Sequence, residues 1–164
     1  MSLDLSCDRS NHSNVHEANF LNYINTSNPD LSGTFQFMIQ ELQAAEDAGE
    51  RVWILGHVLS GWDGSNPNQN PTNLFYQIVE RYSPHVIANI FFGHTHEDEV
   101  MIYYANNGTN QSLSTALNTG WVGPSVTPLT NLNSGFRVYE VRTYSQHNLP
   151  NLMEVYTNSF VLCV

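Results

Sequence analysis

Two short apolar segments constrain the fold of this chain more than any other feature. Residues 52–55 and 86–92 are largely apolar runs, and each is followed by Gly-His, at Gly56-His57 and Gly93-His94. An apolar run without alternation is typical of a β-strand that is covered on both faces, as in a sheet flanked by helices. We therefore expect two buried strands whose carboxyl ends both carry a histidine.

Helical patterns precede both segments. Apolar residues recur at helical spacing from Pro29 to Ala48, with Asn28-Pro29 as the predicted start and Gly49 as the predicted stop. A second helix is predicted from Thr72 to Tyr82, with its apolar face formed by Leu74, Ile78 and Tyr82. Because helix, strand, helix and strand follow one another, the sequence predicts an α/β fold.

The chain after residue 92 has a different pattern. Short segments with alternating apolar residues follow one another without a helix between them, which predicts a β-rich and antiparallel part. The predicted strands are Val100–Tyr104, Ser114–Leu117, Phe136–Val141 and Met153–Tyr156, with a turn at Asn106–Gly108.

Charge limits the partners that this chain can bind. Its 164 residues include five arginines, no lysine and fifteen acidic residues, so the net charge is −10. Neutralising a nucleic acid or an anionic membrane needs clustered cations, and a nucleic-acid partner is therefore nearly excluded. We also expect no signal peptide and no transmembrane segment, because no apolar run approaches about 18 residues.

Other motifs bear on the compartment. Four Asn-x-Ser/Thr acceptor motifs favour secretion and glycosylation, at Asn11, Asn25, Asn107 and Asn110. The two cysteines, Cys7 and Cys163, lie at opposite ends of the chain. One long-range disulfide and two free thiols both remain open.

The histidines after the two strands are the candidate functional residues. In α/β sheets, ligands bind beyond the carboxyl ends of the strands. His94 and His96 point the same way if their segment is extended, and His57 can join them if the two strands are neighbours. Imidazole is a usual zinc ligand, so these three histidines are predicted to ligate a metal. The alternative for each is an ordinary, hydrogen-bonded polar residue.

An acidic cluster, Glu97-Asp98-Glu99, follows the last of these histidines. Its carboxylates could accept hydrogen bonds from the imidazoles and orient them. A solvated acidic loop is the alternative and the more common case.

The two Gly-His motifs carry a resemblance. Gly56-His57, followed by Phe91-Phe-Gly-His-Thr-His-Glu-Asp-Glu99, resembles the last two metal motifs of the calcineurin-like metallophosphoesterases. Further segments are similar to the acid sphingomyelinase branch, in a fungal-type form: 35–37, 41–50, 75–82, 123–128 and 133–141. The resemblance covers about residues 1 to 145 and fades after Thr143.

The resemblance implies a fold, a cofactor and an activity. The fold would be an α/β sandwich in which helices flank a mixed sheet. The activity would be that of a secreted or lysosomal phosphodiesterase with two zinc ions, which polarise the phosphoryl group and activate the attacking water. His57 and His94 would ligate one ion and His96 the other. The reaction would convert sphingomyelin to ceramide and phosphocholine.

The chain also departs from that family. The family's first three metal motifs, Asp-x-His, Gly-Asp and Gly-Asn-His, are not found, and Ser10-Asn11-His12 lies downstream of the place of the third. We therefore expect residues 1–164 to form one partial domain, the C-terminal half of a catalytic domain, with residues 144–164 as a tail. The N-terminal half would then be a partner, an apolar surface would be exposed where it packs, and the chain alone would be inactive.

Two alternatives remain open at this point. The same fold could hydrolyse other phosphodiesters, such as nucleotides. Animal relatives read Gly-His-Ile-Pro-Pro-Gly where this chain reads Gly56-His-Val-Leu-Ser-Gly61, which leaves the sphingomyelin specificity open. The chain could also be a non-catalytic truncated product or a binding module.

Overall fold

The computed structural model describes residues 2–4, 30, 33–57, 59–60, 69–143 and 153–161. These residues form two α-helices and seven strands, and two short 3₁₀ helices lie at Asn106–Gly108 and Leu129–Asn131. In chain order the elements are β1 (Ser2–Asp4), α1 (Thr34–Ala48), β2 (Val52–Leu55), α2 (Gln69–Tyr82), β3 (Ile87–Phe92), β4 (Glu99–Tyr104), β5 (Ala116–Val122), β6 (Gly135–Thr143) and β7 (Met153–Val161).

The main sheet has five strands in the order β1-β2-β3-β5-β4. The first four strands of this order run parallel, and β4 runs antiparallel to β5. The strands β6 and β7 form a separate antiparallel pair. The predicted α/β fold with a mixed sheet is therefore confirmed, and the predicted tail contains a strand that pairs along the whole of β6.

The fifth strand differs from its prediction in position and direction. It was expected at Ser114–Leu117, but it begins at Ala116 and extends to Val122. The residues before it form a turn, in which the Ala116 N–H donates to the Ser112 carbonyl at 3.1 Å. The strand also pairs parallel with β3, whereas an antiparallel arrangement was expected throughout this part. Periodicity does not report which neighbour a strand will pair with.

Helix α1 starts later than predicted and stops where predicted. It begins at Thr34 and not at Pro29. The Asp30 carboxylate accepts the N–H groups of Phe35 and Gln36, at 3.1 and 2.9 Å, and so satisfies free donors of the first turn. At the other end Gly49 has a φ of 68°. Its N–H and that of Glu50 close a Schellman motif onto the carbonyls of Glu46 and Ala45.

Helix α2 begins three residues before its predicted start. Ile78 and Tyr82 are buried as expected, but Leu74 is only half-buried. Phe75 and Val79 are buried in its place. The apolar stripe is thus centred one residue further along the helix than the sequence pattern suggested.

The two faces of the main sheet have different coverings. The inner face, defined here by Ile54, Ile90 and Phe92, contacts the helices, and the Phe75 ring of α2 lies 5.9 Å from that of Phe92. Right-handed crossovers between parallel strands place both helices on that face. The outer face comprises Trp53, Leu55, Phe91, Val100, Ile102 and Trp121.

Strand β6 crosses the outer face. The Tyr139 ring lies 4.8 Å from the ring of Phe91 and 6.3 Å from that of Trp121. A sheet with helices on both faces was expected, and in the described part of the chain the helices occupy one face only. No helix among the described residues is long and apolar enough to cross a membrane.

Candidate metal centre

The first two histidines lie at the same edge of the sheet. Strands β2 and β3 are parallel neighbours, with Leu55 beside Phe91. Two backbone hydrogen bonds continue this pairing beyond the strands. The Gly56 N–H donates to the Phe91 carbonyl at 2.9 Å, and the Gly93 N–H donates to the His57 carbonyl at 3.0 Å. The two strands are therefore neighbours, which was the condition for His57 to lie near the other two histidines.

The imidazoles of His57 and His94 contact each other. Their ring centroids are 5.4 Å apart, and the rings are nearly perpendicular, at 80°. The His57 ring also lies over Gly93, because a Cβ atom at Gly93 would stand 3.5 Å from its Nδ1 atom. The glycine therefore leaves the space beside Nδ1 open, which a branched side chain would fill.

The segment that carries His94 and His96 is a turn. Strand β3 ends at Phe92, and the φ angles of the two histidines are 76° and 67°. The Thr95 N–H donates to the Gly93 carbonyl at 3.0 Å, which bends the chain directly after the strand. The expectation of an extended segment is therefore wrong. The reason for expecting both imidazoles to point the same way no longer applies.

The left-handed backbone of these histidines is a strained feature. A non-glycine residue in this region costs about 1–3 kcal/mol and persists only where the surroundings hold it. One such contact comes from the loop after β5, where the Ser125 N–H donates to the His96 carbonyl at 3.3 Å. No sequence pattern indicated this conformation, because residues other than glycine seldom adopt it.

Partial burial and the neighbouring imidazoles favour the neutral form of His57. Desolvation lowers the pKa of His57, and the positive charges that His94 and His96 can carry lower it further. The neutral imidazole is the form that ligates metals.

The donor chemistry of the three histidines fits zinc or a related divalent ion. Within the described ranges, however, no group of three His, Cys, Asp or Glu residues is placed to hold a metal ion. The geometry brings His57 and His94 into ring contact, and metal ligation by the three histidines stays a prediction.

The acidic cluster after His96 has partners of its own. Asp98 forms an ion pair with Arg137 of β6. The neighbouring Glu97 carboxyl group, together with burial, raises the pKa of Glu99. Asp98 thus contacts a basic side chain. Neither of the two alternatives for the acidic cluster, orientation of the imidazoles or a solvated loop, predicted this contact.

Arg137 is the residue near this site that the sequence analysis missed. Its side chain is only 8% exposed, and its guanidinium lies 5.1 Å from the Trp121 ring centroid and 5.9 Å from that of Tyr139. The Trp121 indole N–H in turn donates to the buried Asn89 side chain at 3.1 Å. One feature of the sequence could have drawn attention to Arg137: the chain contains only five arginines and no lysine, so each basic side chain is a rare partner for the fifteen acidic residues.

The remaining predicted residues lie apart from the histidines. Asn107 and Asn110 are exposed in the turn that follows β4, and their glycosylation stays a prediction. The acceptor residues Asn11 and Asn25 lie outside the described residues, as do both cysteines.

Several known proteins with similar sequences are named sphingomyelin phosphodiesterases. No protein-family model matches the chain. Sphingomyelin phosphodiesterase of Bos taurus is 40% identical over 123 residues, which are 75% of this chain and 18% of the relative. Sphingomyelin phosphodiesterase 2 of Caenorhabditis elegans is 36% identical over 132 residues, which are 76% of this chain and 19% of the relative.

A relative that is named for a different substrate is also similar to this chain. The human protein named cyclic GMP-AMP phosphodiesterase SMPDL3A is 28% identical over 150 residues, which are 84% of this chain and 31% of that protein. The chain therefore spans about a fifth to a third of the length of these three relatives. Together they support a relationship of this chain to the acid sphingomyelinase family of phosphodiesterases.

Proposed function

We propose that this chain supplies metal-ligating histidines to the active site of a zinc-dependent phosphodiesterase. The observation that supports the proposal most is the contact between the imidazoles of His57 and His94, at 5.4 Å, beyond the ends of adjacent parallel strands. The names of the relatives indicate the reaction class, phosphodiester hydrolysis.

Each histidine has a separate part in this proposal. Bound zinc ions would supply Lewis-acid polarisation of the phosphoryl group. His57 and His94 would hold one ion, and His96 the other. Desolvation lowers the pKa of His57, which favours the neutral imidazole that ligates metals. Gly93 leaves the space beside the His57 Nδ1 open.

The proposed substrate is sphingomyelin, which would be cleaved to ceramide and phosphocholine. We further propose that residues 1–164 correspond to the C-terminal half of the catalytic domain of a fungal-type, secreted and glycosylated protein. The described residues contain no three-ligand group, so we expect the 164-residue chain alone to bind zinc weakly and to turn over little substrate.

A second candidate is hydrolysis of nucleotide phosphodiesters. The observation that favours it is the similarity to the human protein named for cyclic GMP-AMP, which extends over 84% of this chain. A third candidate, a non-catalytic product or binding module, is favoured by the incomplete ligand set of the described residues.

The test compares the 164-residue chain with the longer protein of which it would form the C-terminal half. Hydrolysis of bis-p-nitrophenyl phosphate is measured with added zinc and after chelation. We expect zinc-dependent turnover in the longer protein only, and a loss of kcat/KM of about 100-fold or more in His94→Ala, as for an essential ligand. His85→Ala is the matched control, because His85 contacts Glu46 away from the site, at 2.8 Å.

Three results would contradict parts of this proposal. Zinc-dependent turnover by the 164-residue chain, abolished in His94→Ala, would show that the chain alone is a complete enzyme. No zinc-dependent turnover in the longer protein would favour the non-catalytic candidate. A preference for cyclic dinucleotides over sphingomyelin would replace the proposed substrate with the second candidate.

A further inference from the structure

The turn that carries His94 and His96 is held by contacts on its C-terminal side. Two groups outside the turn reach it there. The Ser125 N–H donates to the His96 carbonyl, and Arg137 pairs with Asp98, two residues after His96. Ser125 is itself tied to the start of β6, because its carbonyl accepts the Gly135 N–H at 2.8 Å. Both contacts therefore lead to the same strand.

The position of Arg137 is fixed by its surroundings. Its side chain is 8% exposed, and its guanidinium stacks beside the rings of Trp121 and Tyr139. Trp121 is anchored in turn by its hydrogen bond to Asn89 on β3, which is the strand that ends just before His94. A planar guanidinium that packs against aromatic rings can pair with a carboxylate in one orientation, and a flexible ammonium group cannot do this equally well.

We propose that Arg137 is a positioning residue, which holds the strained turn of His94 and His96 through its ion pair with Asp98. The inference rests on the proposed function, since it gives that turn the task of presenting metal ligands. Mutation of residues that hold metal ligands in place commonly lowers metal affinity by about 10- to 100-fold. The strand β6 would thereby set the geometry of a site to which it contributes no ligand.

The chain offers a matched control for this ion pair. Arg81 of α2 pairs with Glu46 of α1 at 2.8 Å, and the Arg81 side chain is 53% exposed. Arg81→Gln removes an arginine–carboxylate pair without touching the histidine turn. Arg137→Gln removes the pair at the turn, and Arg137→Lys keeps the charge but not the planar fork.

Two measurements on these variants test the proposal. Amide hydrogen exchange of Ser125 in the metal-free chain reports the contact to His96, and the ring resonances of His94 and His96 report their setting. We expect exchange of Ser125 to accelerate about tenfold in Arg137→Gln, with shifted ring resonances. In the longer protein we expect the same substitution to lower the Zn²⁺ affinity about tenfold or more. Arg81→Gln should stay within twofold of wild type, and Arg137→Lys should be intermediate.

The outcomes separate this inference from the proposed function. If exchange, ring resonances and Zn²⁺ affinity in Arg137→Gln match those of Arg81→Gln, the positioning role is wrong. If the turn loosens but Zn²⁺ affinity is unchanged, the role is also wrong. If the longer protein without any substitution binds no Zn²⁺, the proposed function fails, and the exchange data on the 164-residue chain still decide whether Arg137 holds the turn. Should Arg137→Gln not fold, Asp98→Asn removes the same pair from its more exposed side.

Discussion

Successive residues of strand β3 meet opposite surroundings. Ile90 on the inner face is fully buried under the helices, whereas Phe91 on the outer face is half-buried and contacts Tyr139. Elsewhere on the outer face, Val100 and Ile102 are 55% and 49% exposed. The inner face is thus a closed core made by the described residues, and the outer face is an aromatic surface with open apolar edges.

This difference separates two roles: the inner face stabilises the fold, and the outer face supports the histidine turn. The inner face contains the continuous hydrophobic cluster that joins both helices to the sheet, and burial of such a cluster is the main stabilising contribution to folding. On the outer face, the Trp121 indole N–H donates a hydrogen bond to Asn89, and the Trp121 ring packs against Arg137. Arg137 in turn pairs with Asp98, next to the histidine turn.

The largest expected effect comes from the inner face. Ile90→Ala should lower the free energy of unfolding by about 2–5 kcal/mol, because it leaves a cavity beneath both helices. The matched variant Ile102→Ala on the outer face should change it by no more than about 0.5 kcal/mol. Urea denaturation of both variants measures the contrast. Equal losses would contradict it and would mean that the outer face is also a packed core.

An intermediate effect is expected at the polar anchor of the outer face. Trp121→Phe keeps a ring beside Arg137 but removes the indole N–H that Asn89 accepts at 3.1 Å. Because Asn89 is buried, losing this partner should cost about 1–3 kcal/mol of unfolding free energy. Trp53→Phe is the control, since the described contact of that ring is with Phe91. Thermal denaturation that does not distinguish the two variants would show that the hydrogen bond contributes nothing.

The smallest effect concerns the solvent side of the helices that cover the inner face. Hydrogen bonds from Arg81 and then His85 lower the pKa of Glu46 from 4.5 to about 2. Between these pH values the unfolded chain binds more protons, so the stability that this pair contributes above pH 4.5 is lost as the pH falls towards 2.

The corresponding experiment follows the melting temperature from pH 5 to pH 2.5. Glu46→Gln should give a flatter profile than wild type, because it removes the titrating carboxyl. Glu50→Gln, which leaves the Glu46 pair intact, should keep the wild-type slope. Identical slopes for wild type and Glu46→Gln would show that the pair does not link stability to pH.

Local patterns predicted much of the fold. The strand at 52–55, the stop of α1 at Gly49 and the order of helices and strands all follow from apolar spacing and from the backbone freedom of glycine. The start of α1 was missed, because the carboxylate of Asp30 caps it across several residues. The pairing of β5 was missed as well, because strand order depends on contacts between distant segments.

The sequence by itself determined which residues could do chemistry here. It placed Gly-His after two buried strands, excluded a strongly cationic surface and indicated His57, His94 and His96 as candidate ligands. Only the tertiary structure decided how they are presented. It closes the His94–His96 segment into a turn in which both histidines have positive φ angles, and it brings Arg137 onto Asp98 from a strand about 40 residues later. Spacing along a chain describes local geometry, whereas strain is tolerated only where distant residues hold it in place.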